Sequence, residues 1–178
     1  LPPRKIARHG IARSFQMMNL FDEYTALENI VLALPEVRAK GFSMTHDLAG
    51  DDGAQERGAA VLARIGLAGR EHTPASDLSY GQRRALEIGI ALAAEPRMLF
   101  LDEPTSGLGS DATATLAALI QEIRKSVTIV IIEHDMKFLF DLADRIAVIH
   151  WGQVIAQGTP DTLRDNEWVR ASNLGALA

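Results

Sequence analysis

The fold of this chain is decided by residues 98–104, which read MLFLDEP. Four apolar residues lead directly into two adjacent carboxylates, Asp102 and Glu103, and Pro104 ends the run. A short continuous apolar run of this kind predicts a strand that is buried on both faces, as in a parallel sheet covered by helices. In open α/β sheets, ligands bind at the carboxyl ends of the strands. Two acids at that position are costly to bury unless a cation compensates them.

The simplest compensating cation is a hydrated Mg²⁺ on a nucleotide phosphate. Asp102 would then lie on the metal side and Glu103 beside an attacking water. Because successive side chains of a strand point to opposite faces, the two acids can have different roles. The alternative is a strand that simply ends in a polar turn, and this stretch alone does not decide between the two interpretations.

Length and composition narrow the function classes. The chain has 178 residues, 47% of them hydrophobic, which predicts one domain with a sizeable core and room for an inserted lobe. The formal net charge of −5 argues against a nucleic-acid-binding surface, which is usually basic. The absence of cysteine excludes disulfides and thiolate metal sites. No apolar stretch approaches the roughly 18 residues that indicate a membrane-spanning helix.

The residue pattern changes along the chain in a way that predicts two structural parts. Residues 25–95 have helical periodicity, whereas the rest alternates strands and helices, so we expect a helical lobe over 25–95 within an α/β core formed by 1–24 and 96–178. Helix starts are predicted at the Thr25/Glu28 capping box and near Asp52. Further strands are predicted at 127–132 and in a hairpin over 146–155.

Residues 78–84, LSYGQRR, form the second informative stretch. Ser79 and Gln82 have the spacing of a capping box, and Gly81 has no side chain to keep a ligand away from the backbone. A helix start of this kind suits an anion, because unpaired amides and the positive end of the helix dipole meet there. The alternative is an ordinary N-cap with no ligand.

Two single residues are also candidates. Gln16 is predicted at a junction between a strand and a loop, where a lone glutamine is usually only a surface residue. His134 follows the predicted strand at 127–132, where it could donate a hydrogen bond to a phosphate oxygen. A lone histidine at a strand end is more often a turn residue.

Together, these segments resemble the ATP-binding subunit of an ABC transporter. The resemblance covers nearly the whole chain and depends on five motifs in the family's order: the Q-loop glutamine at Gln16, the signature at 78–82, the Walker B strand with its following glutamate at 98–103, the D-loop at 106–111 and the switch histidine at His134.

The resemblance implies a partial P-loop NTPase core with an inserted all-helical subdomain, and ATP and Mg²⁺ as cofactors. It also implies two subunits that enclose two ATP molecules, each bound between the phosphate loop of one subunit and the signature of the other. The implied roles are ATP contact across the dimer for Ser79, Gly81 and Gln82, general base for Glu103, Mg²⁺ binding through water for Asp102, sensing of the metal and the membrane subunit for Gln16, and γ-phosphate contact for His134.

Finer features resemble the ATPases of branched-chain amino-acid importers, namely residues 1–3, 10–16, 86–88 and 173–175 and Tyr80 in the signature. The implied partners are a second ATPase subunit, transmembrane permease subunits and, indirectly, a solute-binding protein, on the cytoplasmic face of the cell membrane and without nucleic acid. An apolar, adaptable surface suits a permease helix, so a contact is expected near Met17, Met18, Leu20 and Phe21. Ordinary core residues are the alternative there.

Two departures from the family pattern affect the expected activity. The 178 residues contain no phosphate loop, G-x-x-x-x-G-K-[ST], which relatives carry upstream of the position of Gln16. The chain therefore looks like a fragment, and alone it is expected to bind and hydrolyse ATP poorly or not at all. Gly109 stands where the D-loop of relatives usually has Asn or Asp, so that contact across the dimer is in doubt.

Two other function classes remain open. The chain could be a non-catalytic module that supplies only its signature face to a complete partner. It could also be a soluble ABC ATPase of DNA repair or translation, although the acidic composition and the absence of long heptad repeats or basic linkers argue against this.

Overall fold

A computed structural model describes residues 9–14, 20–40, 51–166 and 169 of the chain. Its contacts divide the chain into two units, Leu1–Val130 and Ile131–Ala178. The first unit contains β1 (Ile11–Arg13), α1 (Ala26–Val31), α2 (Pro35–Lys40), α3 (Asp52–Arg64), a 3₁₀ turn (Ala75–Asp77), α4 (Tyr80–Ala93), β2 (Met98–Asp102), α5 (Ser110–Ile123) and the first part of β3 (Thr128–Ile132). The second contains the rest of β3, α6 (Met136–Leu142), β4 (Ile146–His150), β5 (Gln153–Gly158) and α7 (Pro160–Arg164).

Local sequence sets the starts of the helices in the first unit. The Thr25/Glu28 capping box is confirmed, with the Glu28 amide donating to Thr25 Oγ1 at 3.2 Å and the Thr25 amide donating to the Glu28 carboxylate at 2.7 Å. The prediction of Asp52 as the cap of α3 is wrong by one residue, because the Ala54 amide donates to Asp51 Oδ1 at 3.1 Å and Asp52 is already helical.

Three helices of the first unit, α1, α3 and α4, pack on one another through apolar faces. Ile30, Leu62 and Leu86 supply one fully buried side chain from each helix. This packing agrees with the helical periodicity of residues 25–95. The exact boundary between a helical lobe and an α/β core stays a prediction.

The central strand lies in a three-stranded sheet with the order β1-β2-β3. β1 and β2 are parallel, with Ile11 opposite Met98. Leu99 and Leu101 are fully buried, but Met98 and Phe100 on the other face are only half-buried. The prediction of full burial on both faces is therefore wrong, because alternate side chains face opposite sides of the sheet and the two sides are unequally covered.

The second unit is built on a β-hairpin, as the sequence predicts. β4 and β5 are antiparallel and are joined by Trp151 and Gly152, whose φ angles are 48° and 75°. Positive φ at both central residues is the geometry of the tight turns that match strand twist. The buried side chains that pack against one another in this unit are Met136, Leu139, Ile146, Val148, Leu163 and Val169.

None of the helices in the described part of the chain has the length and apolar content that crossing a bilayer requires.

Candidate functional site

The end of β2 presents the two carboxylates predicted from the sequence. Asp102 is the last residue of the strand and Glu103 follows it, and both are half-buried. Glu103 has a φ of 43°, in the left-handed region that residues other than glycine rarely occupy. Such backbone strain persists only where surrounding structure fixes it, and it is concentrated at functional sites.

The cation that lies beside Asp102 is a side chain of the protein itself. The Arg13 guanidinium, at the end of the neighbouring strand β1, donates to Asp102 Oδ2 at 2.6 Å. Mg²⁺ is therefore not the sole source of the positive charge that compensates Asp102, and no local sequence pattern marks Arg13 as its partner. Its place beside Asp102 follows from the parallel β1–β2 register, which a single sequence does not reveal.

The start of α4 has the predicted capping box. The Gln82 amide donates to Ser79 Oγ at 3.4 Å, and the Ser79 amide donates to Gln82 Oε1 at 3.0 Å. Ser79 is exposed, whereas Gly81 and Gln82 are half-buried, so the helix start is accessible to a partner. A Cβ at Gly81 would lie 3.3 Å from Ala112 Cβ in α5, so part of the space predicted for a ligand is occupied by the protein.

Two side chains of α4 join the helix start to the loop that follows the acids. The Tyr80 hydroxyl donates to the Ser106 carbonyl at 3.1 Å. Arg84 Nη2 donates to the carbonyls of Asp102 and Glu103, both at 3.0 Å. The structure thus brings the predicted signature and the predicted acids together within the first unit. Neither contact is predictable from the sequence, since each joins residues that are far apart in the chain.

His134 lies in the second unit, between β3 and α6, with a side chain that is 75% exposed. The Glu133 carboxylate beside it is fully buried and accepts a hydrogen bond from the His134 amide at 3.0 Å. Gln16, Met17 and Met18 lie outside the described residues.

The carboxylates of the site can be compared with the number of protein ligands that Mg²⁺ needs when it is bound to a nucleotide. The described residues contain no cluster of three or more His, Asp or Glu side chains able to hold a metal alone. Mg²⁺ on phosphates requires only one or two carboxylates, because water and phosphate oxygens complete its shell. The half-buried carboxylates of Asp102 and Glu103 suit that requirement, and the start of α4 suits an anion.

Comparisons with known proteins show the family of the chain. The sequence profile described as ABC transporter matches residues 2–106. The chain is 40% identical, over 98% of its length and 71% of theirs, to the high-affinity branched-chain amino acid transport ATP-binding proteins LivG of Escherichia coli K12 and BraF of Pseudomonas aeruginosa.

Solved structures give the same result for the fold. The ADP conformation of MJ1267, an ATP-binding cassette of an ABC transporter, superimposes with a TM-score of 0.80 at 25% identity, covering 97% of this chain and 71% of that one. The predicted fold class, α/β with a P-loop NTPase core of the ABC-ATPase type, is confirmed. The family profile, the LivG and BraF identities and this shared fold place the chain in the ABC transporter family, among its ATP-binding proteins.

Proposed function

We propose that this chain is part of the ATP-hydrolysing subunit of an importer for branched-chain amino acids. The observation that carries the proposal is a connection within one unit. Hydrogen bonds from Tyr80 and Arg84 join the exposed helix start at Ser79 to the backbone at and after Asp102 and Glu103. The transport substrate is suggested by LivG and BraF, whose names specify branched-chain amino acid transport. The subunit would work on the inner face of the membrane, with permease subunits and, through them, a solute-binding protein.

The proposed chemistry divides the work between the two acids. Glu103 acts as the general base on the attacking water, and Asp102 holds the metal through water. Bound MgATP supplies the phosphoryl group and the metal charge that neutralises its oxygens. His134 donates to the γ-phosphate, and Gln16 senses the metal and the membrane subunit.

The signature residues serve a nucleotide held by a second ATPase subunit. Ser79 offers a hydroxyl, Gly81 a backbone amide and Gln82 a side chain at a helix start of favourable polarity. The exposure of Ser79 supports this role, because a hydroxyl sealed in the core could not reach another chain.

The permease contact is proposed near residues 17–21. Phe21 is 59% exposed and its ring lies 5.4 Å from that of Tyr24, which is also exposed. An exposed aromatic pair of this kind suits an amphipathic helix of a partner.

The 178 residues alone are proposed to turn over ATP slowly or not at all, because they contain no G-x-x-x-x-G-K-[ST] segment. The test compares this chain with a chimera that carries, ahead of Leu1, the phosphate-loop segment of an ABC transporter relative. We expect MgATP turnover in the chimera only, and its loss with retained ATP binding in the chimera with Glu103→Gln. Rapid turnover by the 178-residue chain, or full turnover by the Glu103→Gln chimera, would contradict the proposal.

A second candidate function is a non-catalytic module that supplies only the signature face. It is favoured by the intact capping box at Ser79 in a sequence without a phosphate loop. This candidate predicts ATP-dependent association with an intact relative, measured by sedimentation velocity, without any gain of turnover in the chimera.

A further inference from the structure

Arg84 is a buried cation that the proposed chemistry does not use. Its residue is 4% exposed, and Nη1 lies 2.6 Å from the carboxylate of Glu87, which is 7% exposed and one helical turn further along α4. A buried ion pair is weak evidence for stability, since the loss of hydration offsets most of the attraction between the charges. Its contacts therefore suggest a different role.

The other nitrogens of Arg84 bind the backbone that leaves β2. Nη2 donates to the carbonyls of Asp102 and Glu103 at 3.0 Å each, and Nε donates to the Pro104 carbonyl at 3.2 Å. Three successive carbonyls are thus bound by one planar guanidinium. Its donors have a fixed fork geometry, whereas a lysine ammonium is a single point on a flexible stem.

These contacts surround the strained residue of the site. Glu103 has a φ of 43°, and Arg84 binds its own carbonyl and those of the residues before and after it. A left-handed conformation of a glutamate needs surrounding structure to hold it. The backbone conformation at Glu103 decides where its carboxylate points, so the guanidinium that binds this turn also orients the acid.

We propose that Arg84, held in place by Glu87, is the positioning residue for Glu103. It fixes the Asp102–Glu103–Pro104 turn and joins that turn rigidly to α4. The consequence for catalysis rests on the function proposed above: the helix start offered to one nucleotide and the acids that serve another would move as one body.

The first test measures backbone order in the 178-residue chain by amide hydrogen exchange. The Ser106 amide donates to the Glu103 carbonyl at 3.1 Å and so reports on the turn. The main variant is Arg84→Met with Glu87→Leu, which removes both buried charges and avoids leaving one unpaired. We expect the Ser106 amide to exchange about tenfold faster than in the native chain at a temperature where both are folded. The melting temperature should fall as well, because the Asp102, Glu103 and Pro104 carbonyls lose their donor.

Two single variants complete the design. Arg84→Lys keeps the pairing with Glu87 but cannot span three carbonyls, so faster Ser106 exchange is expected here too, even if the double variant does not fold. Arg83→Met is the matched control, because Arg83 lies on the same helix but binds the Ala75 carbonyl and Asp22. It should leave Ser106 exchange unchanged. Native exchange of Ser106 in a folded double variant, or in Arg84→Lys, overturns the proposal.

The second test uses the phosphate-loop chimera. If Arg84 orients the general base, Arg84→Lys lowers kcat about tenfold and leaves the KM for MgATP unchanged, because only the chemical step is affected. An unchanged kcat overturns the proposal. If the native chimera has no turnover, the function proposed above fails, and the exchange experiment alone decides the role of Arg84.

Discussion

The Asp102 carboxylate has a guanidinium beside it, and the strength of that contact decides whether Asp102 can also serve a metal. The Arg13 side chain is 56% exposed and that of Asp102 is 21% exposed. Exposed ion pairs typically contribute less than about 1 kcal/mol, because water screens them. Arg13 can therefore give way to a metal without loss of the fold.

A double-mutant cycle measures how strongly Arg13 and Asp102 interact. Arg13→Met and Asp102→Asn are made singly and together, and the free energy of unfolding is measured by urea denaturation. We expect a coupling energy below about 1 kcal/mol that falls further in high salt. A coupling of several kcal/mol, insensitive to salt, would mean that Arg13 is a structural partner that keeps Asp102 from the metal.

Gly107, in the loop after the two acids, is a position that tolerates an added side chain poorly. Its φ is 75°, and a Cβ there would lie 3.0 Å from the Tyr80 hydroxyl that binds the preceding carbonyl. We expect Gly107→Ala to lower the free energy of unfolding by about 1 kcal/mol or more, because it adds both strain and a clash. The measurement is again urea denaturation.

Gly109, two residues further on, is the matched control for that substitution. No atom would lie within 4 Å of its Cβ, and its φ is −78°. Gly109 is the N-cap residue of α5, so Gly109→Ala loses a favoured cap but also lowers the entropy of the unfolded chain, and stability should change by much less than at Gly107. Equal losses at the two positions would show that the Tyr80 contact does not constrain the loop.

Residue-scale features were predictable from sequence where the chemistry is local. The acids at Asp102 and Glu103 and the cap at Ser79 follow from adjacent residues. The Arg13 partner of Asp102 is 89 positions away, and the Arg84 and Tyr80 contacts span 18 to 26 positions. No local pattern marks such pairs, because the chain path alone brings them together.

At the scale of elements, the packing of α4 depends on a glycine. A Cβ at Gly89 would lie 2.6 Å from Ile65 Cδ1 and 2.9 Å from Ile30 Cδ1. The small residue lets α4 approach both neighbours closely. Its low helix propensity is offset by that packing.

Gly89→Ala is therefore expected to destabilise the chain by about 1–3 kcal/mol, because the Ile30 and Ile65 side chains that would have to move are themselves buried, so overpacking exceeds the gain in helix propensity. Gly53→Ala, in the first turn of α3, is the control. The nearest atom there, Asp51 Oδ1, is 3.7 Å from the added Cβ, so the gain in propensity should dominate. Thermal unfolding tests whether Gly53→Ala raises stability and Gly89→Ala lowers it. Stabilisation by Gly89→Ala would refute the packing argument.

Element boundaries were predictable where a cap or turn carries the signal. The capping boxes and the Trp151–Gly152 hairpin appear as predicted, because each depends on residues within one turn of chain. α1 ends at Val31, and Pro35 begins α2, where its fixed φ is favourable. Strand order and unequal sheet burial were not predictable, since they depend on distant partners.

At the scale of the whole molecule, Ser79 and Glu103 of one subunit serve different nucleotides in the proposed function. Ser79 is exposed at a helix start, while Glu103 is held by the turn after β2. Because the two residues serve different nucleotides, a subunit defective at Ser79 and a subunit defective at Glu103 should complement each other. In a mixed dimer, one of the two sites would combine the intact Glu103 of one subunit with the intact Ser79 of the other.

The most direct measurement is ATPase complementation with the chimera. One subunit carries Ser79→Asp, which keeps an N-cap residue but places a negative charge where a phosphate would bind. The other carries Glu103→Gln. We expect each variant alone to be inactive and their mixture to regain a substantial share of native turnover. A mixture as inactive as its components would contradict the proposed function.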